Sequence, residues 1–130
     1  MRNAQIFRGI NVVSISVTDI DKAREFYGAI LGFGDPVYDL PDAGWIEFQT
    51  GGGGNLSVVM AETGWQPTTG TTVVLNVDDC QSAMTVLRKR GVVCEDAETF
   101  PGFVTFASFS DPFGNRLQMC SPAPDGNSPF

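Results

Sequence analysis

An alternating apolar run that closes on an aspartate occurs twice in this chain, as V-V-S-I-S-V-T-D at residues 12–19 and as T-V-V-L-N-V-D-D at residues 72–79. Alternation places successive side chains on opposite faces of the backbone, so each run reads as a half-buried strand. The correspondence continues downstream, where Trp45-Ile46-Glu47-Phe48 answers to Phe103-Val104-Thr105-Phe106 and Gly54-Asn55 to Gly114-Asn115. One small unit used twice implies a pseudo-two-fold site between its halves.

Each copy then repeats an order of elements. Asp19 reads as an N-cap, and Ala23, Phe26, Tyr27, Ile30 and Leu31 recur at helical spacing, which predicts a helix over 20–31 stopped by Gly32. Strands near 33–38, 44–50 and 55–61 follow, separated by the turns at 41–44 and 51–54. The second copy predicts a strand at 71–77, a helix from Asp79 to Arg90 closed by Gly91, and strands near 92–96, 102–109 and 115–120. The whole reads as a single domain over 1–130, with module one at about 9–62, a linker at 62–70, module two at about 71–121 and a flexible tail at 122–130.

Composition narrows the class of partner. A net charge of -7 with only 8 lysines and arginines opposes binding to nucleic acid or to an anionic membrane surface. No apolar run approaches the ~20 residues needed to cross a bilayer. Three cysteines without metal-type spacing point to reduced thiols and a cytoplasmic location. Histidine is absent, which removes the commonest metal ligand and the commonest acid/base group at neutral pH.

Asp19 followed by F-Y-G-A-I-L-G-F at 26–33, the hairpin D-P-F-G-N at 111–115, and the paired module order together resemble the vicinal oxygen chelate superfamily, which holds glyoxalases, bleomycin-resistance proteins and extradiol dioxygenases. The hairpin also has a local physical account, since Pro112 presets the turn, Asp111 can accept from amides within it, and Gly114 tolerates left-handed backbone. The resemblance covers residues 10–121 and implies an α+β fold. Two βαβββ modules would form a cup-shaped, incompletely closed mixed sheet, with the helices outside and a ligand cavity within. It also implies a homodimer.

Strand parity then gives the expected lining of the cup. With Val13, Ile15 and Val17 turned to the helix, Val12, Ser14 and Ser16 face inward, and the same logic sends Ser57 and Val59, and Thr72, Val74 and Asn76, to the cup. Arg116, Gln118 and Cys120 follow, as do Trp45, Glu47 and Gln49, and Phe103, Thr105 and Ala107. Trp65, in the linker, is a candidate lid. The expected ligand-binding set is therefore Ser14, Ser16, Trp45, Glu47, Gln49, Ser57, Trp65, Asn76, Phe103, Thr105, Arg116 and Gln118. Such a mixture of aromatics, amides and hydroxyls suits an organic molecule. Glu47 is either a candidate base or a salt-bridge partner of Arg116.

Metal-dependent relatives use one residue from the first and last strand of each module, positions that fall near Val12, Ser57, Thr72 and Gln118. Valine offers no donor and neutral hydroxyls are weak ligands, so no metal and no cofactor is expected. A second constellation, Glu47, Gln118 and Cys120 with Glu62 nearby, is unspecific. The glycine run at 51–54 precedes a strand and so is no phosphate loop. Cys80 opens a helix, but no base or resolving cysteine lies beside it in sequence, so it reads as inert.

The function expected is metal-independent capture of a small organic molecule, in the manner of bleomycin resistance, with no catalysis required. A metal-dependent lyase or dioxygenase with nonstandard ligands is the alternative, and a structural or regulatory subunit the second alternative.

Overall fold

Asp19 and Asp79, the aspartates that end the two repeated runs, both cap helices in the computed structural model, which describes residues 4–123. The Asp19 carboxylate accepts from the Lys22 amide at 3.0 Å and the Asp79 carboxylate from the Ser82 amide at 2.8 Å. Each satisfies a donor that the first helical turn leaves without an internal partner. Gly32 and Gly91, at φ of 88° and 87°, close the helices in the left-handed conformation that suits glycine. The repeat in the sequence is thus a repeat of caps and stops. The chain divides after Glu62 into two compact units.

The first unit runs β1 (Val12–Val17), α1 (Ile20–Arg24) continuing as a π-wound turn (Glu25–Ile30), β2 (Tyr38–Leu40), a short 3-10 turn (Pro41–Ala43), β3 (Trp45–Gln49) and β4 (Asn55–Met60). Its sheet order is β1-β4-β3-β2, with β1 parallel to β4 and the other pairs antiparallel. The helix buries Ala23, Phe26 and Tyr27. Ile15, Val17, Ile46, Phe48, Leu56 and Val58 form the rest of that unit's core.

Phe33, expected to open a strand over 33–38, instead lies with its ring 6.2 Å from that of Phe48, and the strand begins only at Tyr38. Packing a large ring on the Phe48 ring of β3 outweighs extending an edge strand by a few residues. Tyr27 also meets Phe48, at 6.5 Å between centroids. Gly28 permits the turn that follows, because a Cβ there would stand 3.0 Å from the Gly34 carbonyl oxygen.

The second unit contains β5 (Val74–Asn76), α2 (Cys80–Lys89), β6 (Val93–Cys94), β7 (Glu98–Phe100), β8 (Val104–Ser110) and β9 (Arg116–Pro122). Sheet order is β5-β9-β8-β6, with β7 also on β8. β6 and β7 amount to one interrupted strand, since the Glu95 amide between them still donates to the Ser108 carbonyl at 2.8 Å. The strand expected at 92–96 is therefore short, and β7 was not foreseen. β9 continues through Pro122, so residue 122, expected to begin the tail, ends a strand instead; residues 124–130 of the expected tail lie outside the described residues.

Both units are α+β, a sheet of mostly antiparallel strands with a helix on one face, as expected. No helix among the described residues is long and apolar enough to cross a membrane.

Phe48 joins helix, turn and sheet in the first unit and is fully buried. Truncating it (Phe48→Ala) should cost about 3–5 kcal/mol in urea denaturation with little change in the slope. On the surface, Arg24 binds Asp39 through Nε at 2.8 Å and Nη2 at 2.9 Å, and holds that carboxyl below the usual carboxylate range. A depressed folded value contributes stability above the ordinary range and loses it as pH falls through the folded value. Asp39→Asn should therefore lower the melting midpoint at neutral pH, modestly and less at high salt, with wild type and variant converging in strong acid.

Candidate functional site

Packing the helix on one face of each sheet leaves the other face uncovered within its unit, and strand register states which side chains occupy it. In the first unit Ser14 opposes Ser57, Ser57 opposes Glu47, and Glu47 opposes Tyr38 across four neighbouring strands. Val12, Ser16, Trp45, Gln49 and Asn55 lie on that face by alternation. The Ser14 and Ser57 hydroxyls are 2.7 Å apart. Glu47 is only 8% exposed; its Oε1 accepts from Trp45 Nε1 at 3.1 Å and its Oε2 from Asn55 Nδ2 at 2.7 Å. All six first-unit residues of the expected set, Ser14, Ser16, Trp45, Glu47, Gln49 and Ser57, share this face.

In the second unit the corresponding face carries Val74 and Asn76 from β5, Gln118 and Cys120 from β9, and Phe106 and Ser108 from β8. Here the expected parity fails in β8. Phe106, directly opposite Cys120, faces outward from the helix, whereas Thr105 opposes Ser121 and lies on the helix side with Ala107 and Met119. Thr105 hydroxyl pairs with that of Thr99 at 2.9 Å. Phe103 precedes β8 in an exposed turn. The hairpin is the cause: Ser110 opposes Arg116, so placing Arg116, Gln118 and Cys120 on one face forces Ser108 and Phe106 to join them.

The same registers correct the internal alignment. Val74 opposes Gln118 as Ser14 opposes Ser57, and Ser108 opposes Gln118 as Glu47 opposes Ser57. Trp45 therefore answers to Phe106 and not to Phe103, and Glu47 answers to Ser108.

A concavity of about 370 Å³ lies on this second face, lined by Val74, Phe100, Val104, Phe106, Gln118 and Cys120. Phe100 and Phe106 stack across β7 and β8 with centroids 5.7 Å apart and planes 16° from parallel. Gln118 donates to Ser108 Oγ at 3.3 Å, and the Cys120 thiol donates to Asn76 Oδ1 at 3.5 Å. Phe100, Phe106 and Tyr38 were missed by the sequence reading. Arg116, one of the two alternatives weighed for Glu47, binds Glu95, with Nη2 2.8 Å from Oε2. Trp65 is half-buried in the segment ahead of β5.

A divalent ion does not fit the residues present. Val12 has no donor, the Ser57 hydroxyl pairs with that of Ser14, and Gln118 offers only the neutral oxygen of an amide whose nitrogen donates to Ser108, so the positions hold no anionic or imidazole ligand. Among the described residues no three of the histidine, cysteine, aspartate and glutamate side chains converge as a metal site.

Burial pushes the Cys80 and Cys120 thiols up from the ordinary range, keeping both protonated and weakly nucleophilic at neutral pH. Cys80 Sγ lies 3.4 Å from the Met119 carbonyl oxygen and 3.5 Å from that of Thr105, the inert role expected of it. Iodoacetamide should modify Cys120 far more slowly than a free thiol at neutral pH, and the rate should climb only at alkaline pH. Peptide mass mapping of the alkylated protein measures this.

Comparison with known proteins agrees with this geometry. No match is found among curated protein sequences. TnmS3, an antibiotic binding protein from Streptomyces sp. CB03234, superposes with a TM-score of 0.79 at 27% identity, covering 92% of this chain and 100% of its own. A glyoxalase/bleomycin resistance protein from the same Streptomyces gives 0.71 at 28% identity, covering 85% of this chain and 98% of that one. A glyoxalase family protein from Bacillus anthracis shares the fold, with a TM-score of 0.78 at 24% identity and coverage of 94% and 99%. The profile of the Glyoxalase/Bleomycin resistance protein/Dioxygenase superfamily matches residues 9–119, and the chain belongs to that superfamily.

Proposed function

We propose that this protein binds a small planar organic molecule without using a metal, as a sequestering protein. The observation that carries the reading is the aromatic concavity of the second unit. Its Phe100–Phe106 pair and the aliphatic surface of Val74 and Val104 offer stacking area, while Gln118 supplies an amide that can orient a polar edge. Its volume of about 370 Å³ falls within the ~300–1,000 Å³ common for small-molecule sites. No activated nucleophile lines it, because the Cys120 thiol is held in its neutral form by burial. The donor set that a metal-dependent relative would need is not assembled, and the similarity to an antibiotic binding protein supports capture over turnover.

Titration with a panel of planar aromatic antibiotics, followed by calorimetry and tryptophan fluorescence, tests the reading. Saturable binding that survives a chelator is expected. Phe106→Ala should weaken it about tenfold or more, equivalent to about 1.4 kcal/mol, by removing one ring of the stack. Stoichiometric divalent metal in the purified protein, or no saturable binding to any of the panel, would overturn it.

A further inference from the structure

Glu95, Asp96 and Glu98 lie close together on the stretch that forms the outer wall of the second unit's hollow, and two of the three are matched with a cation. Glu95 meets Arg116 at 2.8 Å and Asp96 meets Arg88 at 3.1 Å. Glu98 is exposed, and no ion pair among the described residues includes it.

Register places Glu98 beside the stacked rings. It opposes Phe106 directly across the antiparallel β7–β8 pair, and it stands two positions before Phe100 on the same strand. Alternation therefore puts its side chain on the face that carries both rings, and directly opposed residues hold their Cβ atoms about 4.5–5.5 Å apart. The row continues across the sheet, where Phe106 opposes Cys120 and Cys120 opposes Asn76 on β5. The face thus runs from a neutral amide at one margin, over a thiol and a ring, to a carboxylate at the other. In the first unit the matched position, opposite Trp45, is Leu40, so the scaffold itself requires no charge there. Arg116, the cation on the same face of the second unit, is already engaged by Glu95.

We propose that Glu98 is the charge-selecting residue of this hollow and favours flat guests that carry a protonated nitrogen on the edge nearest β7. This rests on the binding function proposed above. A protonated amine at that edge meets the Glu98 carboxylate and the π faces of Phe100 and Phe106, whereas a neutral guest of the same outline gains only the stack. Water screens an exposed carboxylate, so the selectivity is a matter of a few-fold and falls with added salt.

Two probes of nearly one shape test the assignment. At mildly alkaline pH 9-aminoacridine is a cation and acridine is neutral. Wild type should bind the cation about threefold or more tightly, and Glu98→Gln should erase that preference while leaving acridine affinity unchanged. Phe106→Ala should weaken both probes, which ties the selectivity to the hollow. Asp78→Asn removes an exposed charge next to β5, at the opposite edge of the same sheet, and should keep the preference, so it controls for the net charge of -7. Equal binding of both probes by wild type, or a preference that persists in Glu98→Gln, overturns the assignment and leaves the binding function standing. So does cation binding that Phe106→Ala leaves intact while acridine binding falls. Failure of wild type to bind either probe sinks both.

Discussion

A β-strand can bury only one of its two faces against a single helix, and in both units the buried face is chosen by a capped helix pressed onto the sheet. Asp19 starts the first helix at the point from which Ala23, Phe26 and Tyr27 reach the sheet, where Ile46, Phe48, Leu56 and Val58 complete the core. Asp79 does the same for Cys80 and Met84 in the second. Once those contacts are made, every alternate residue is committed to the other face. Ser14, Glu47 and Ser57 in one unit, and Phe106, Gln118 and Cys120 in the other, lie where they do because their neighbours are needed elsewhere.

Duplication supplies two like scaffolds but not two like surfaces. At positions matched by register, Trp45 stands for Phe106, Glu47 for Ser108, and Ser57 for Gln118. The first unit thereby keeps a buried carboxyl group with its donors, and the second replaces it with a hydroxyl and opens an aromatic hollow. A superfamily fold is compatible with many chemistries, and it is the side chains on these faces that separate one use from another.

The elements were legible because their signals are local: caps, glycine stops and period-two apolar runs need only a few adjacent residues. The inward face of the first unit was legible for the same reason, since V-V-S-I-S-V and W-I-E-F-Q alternate without ambiguity. The run V-T-F-A-S-F-S at 104–110 carries apolar side chains on both parities, so alternation alone cannot orient it. Its orientation is set across the hairpin by the pairing of Ser110 with Arg116, a relation between two strands. Phe100 was hidden for a different reason: its three-residue strand is too short to leave a periodic trace, and it exists because β8 offers it a partner.

That short strand bears on how choosy the hollow can be. β7 is tied to the sheet along one edge only, beyond the gap left by β6, and it carries one of the two stacked rings. A ribbon so lightly moored detaches at small cost compared with the long β8–β9 pairing behind it. In the binding role proposed above, a wall bearing Phe100 that yields while the floor stays fixed would favour tolerance among flat molecules over discrimination by outline.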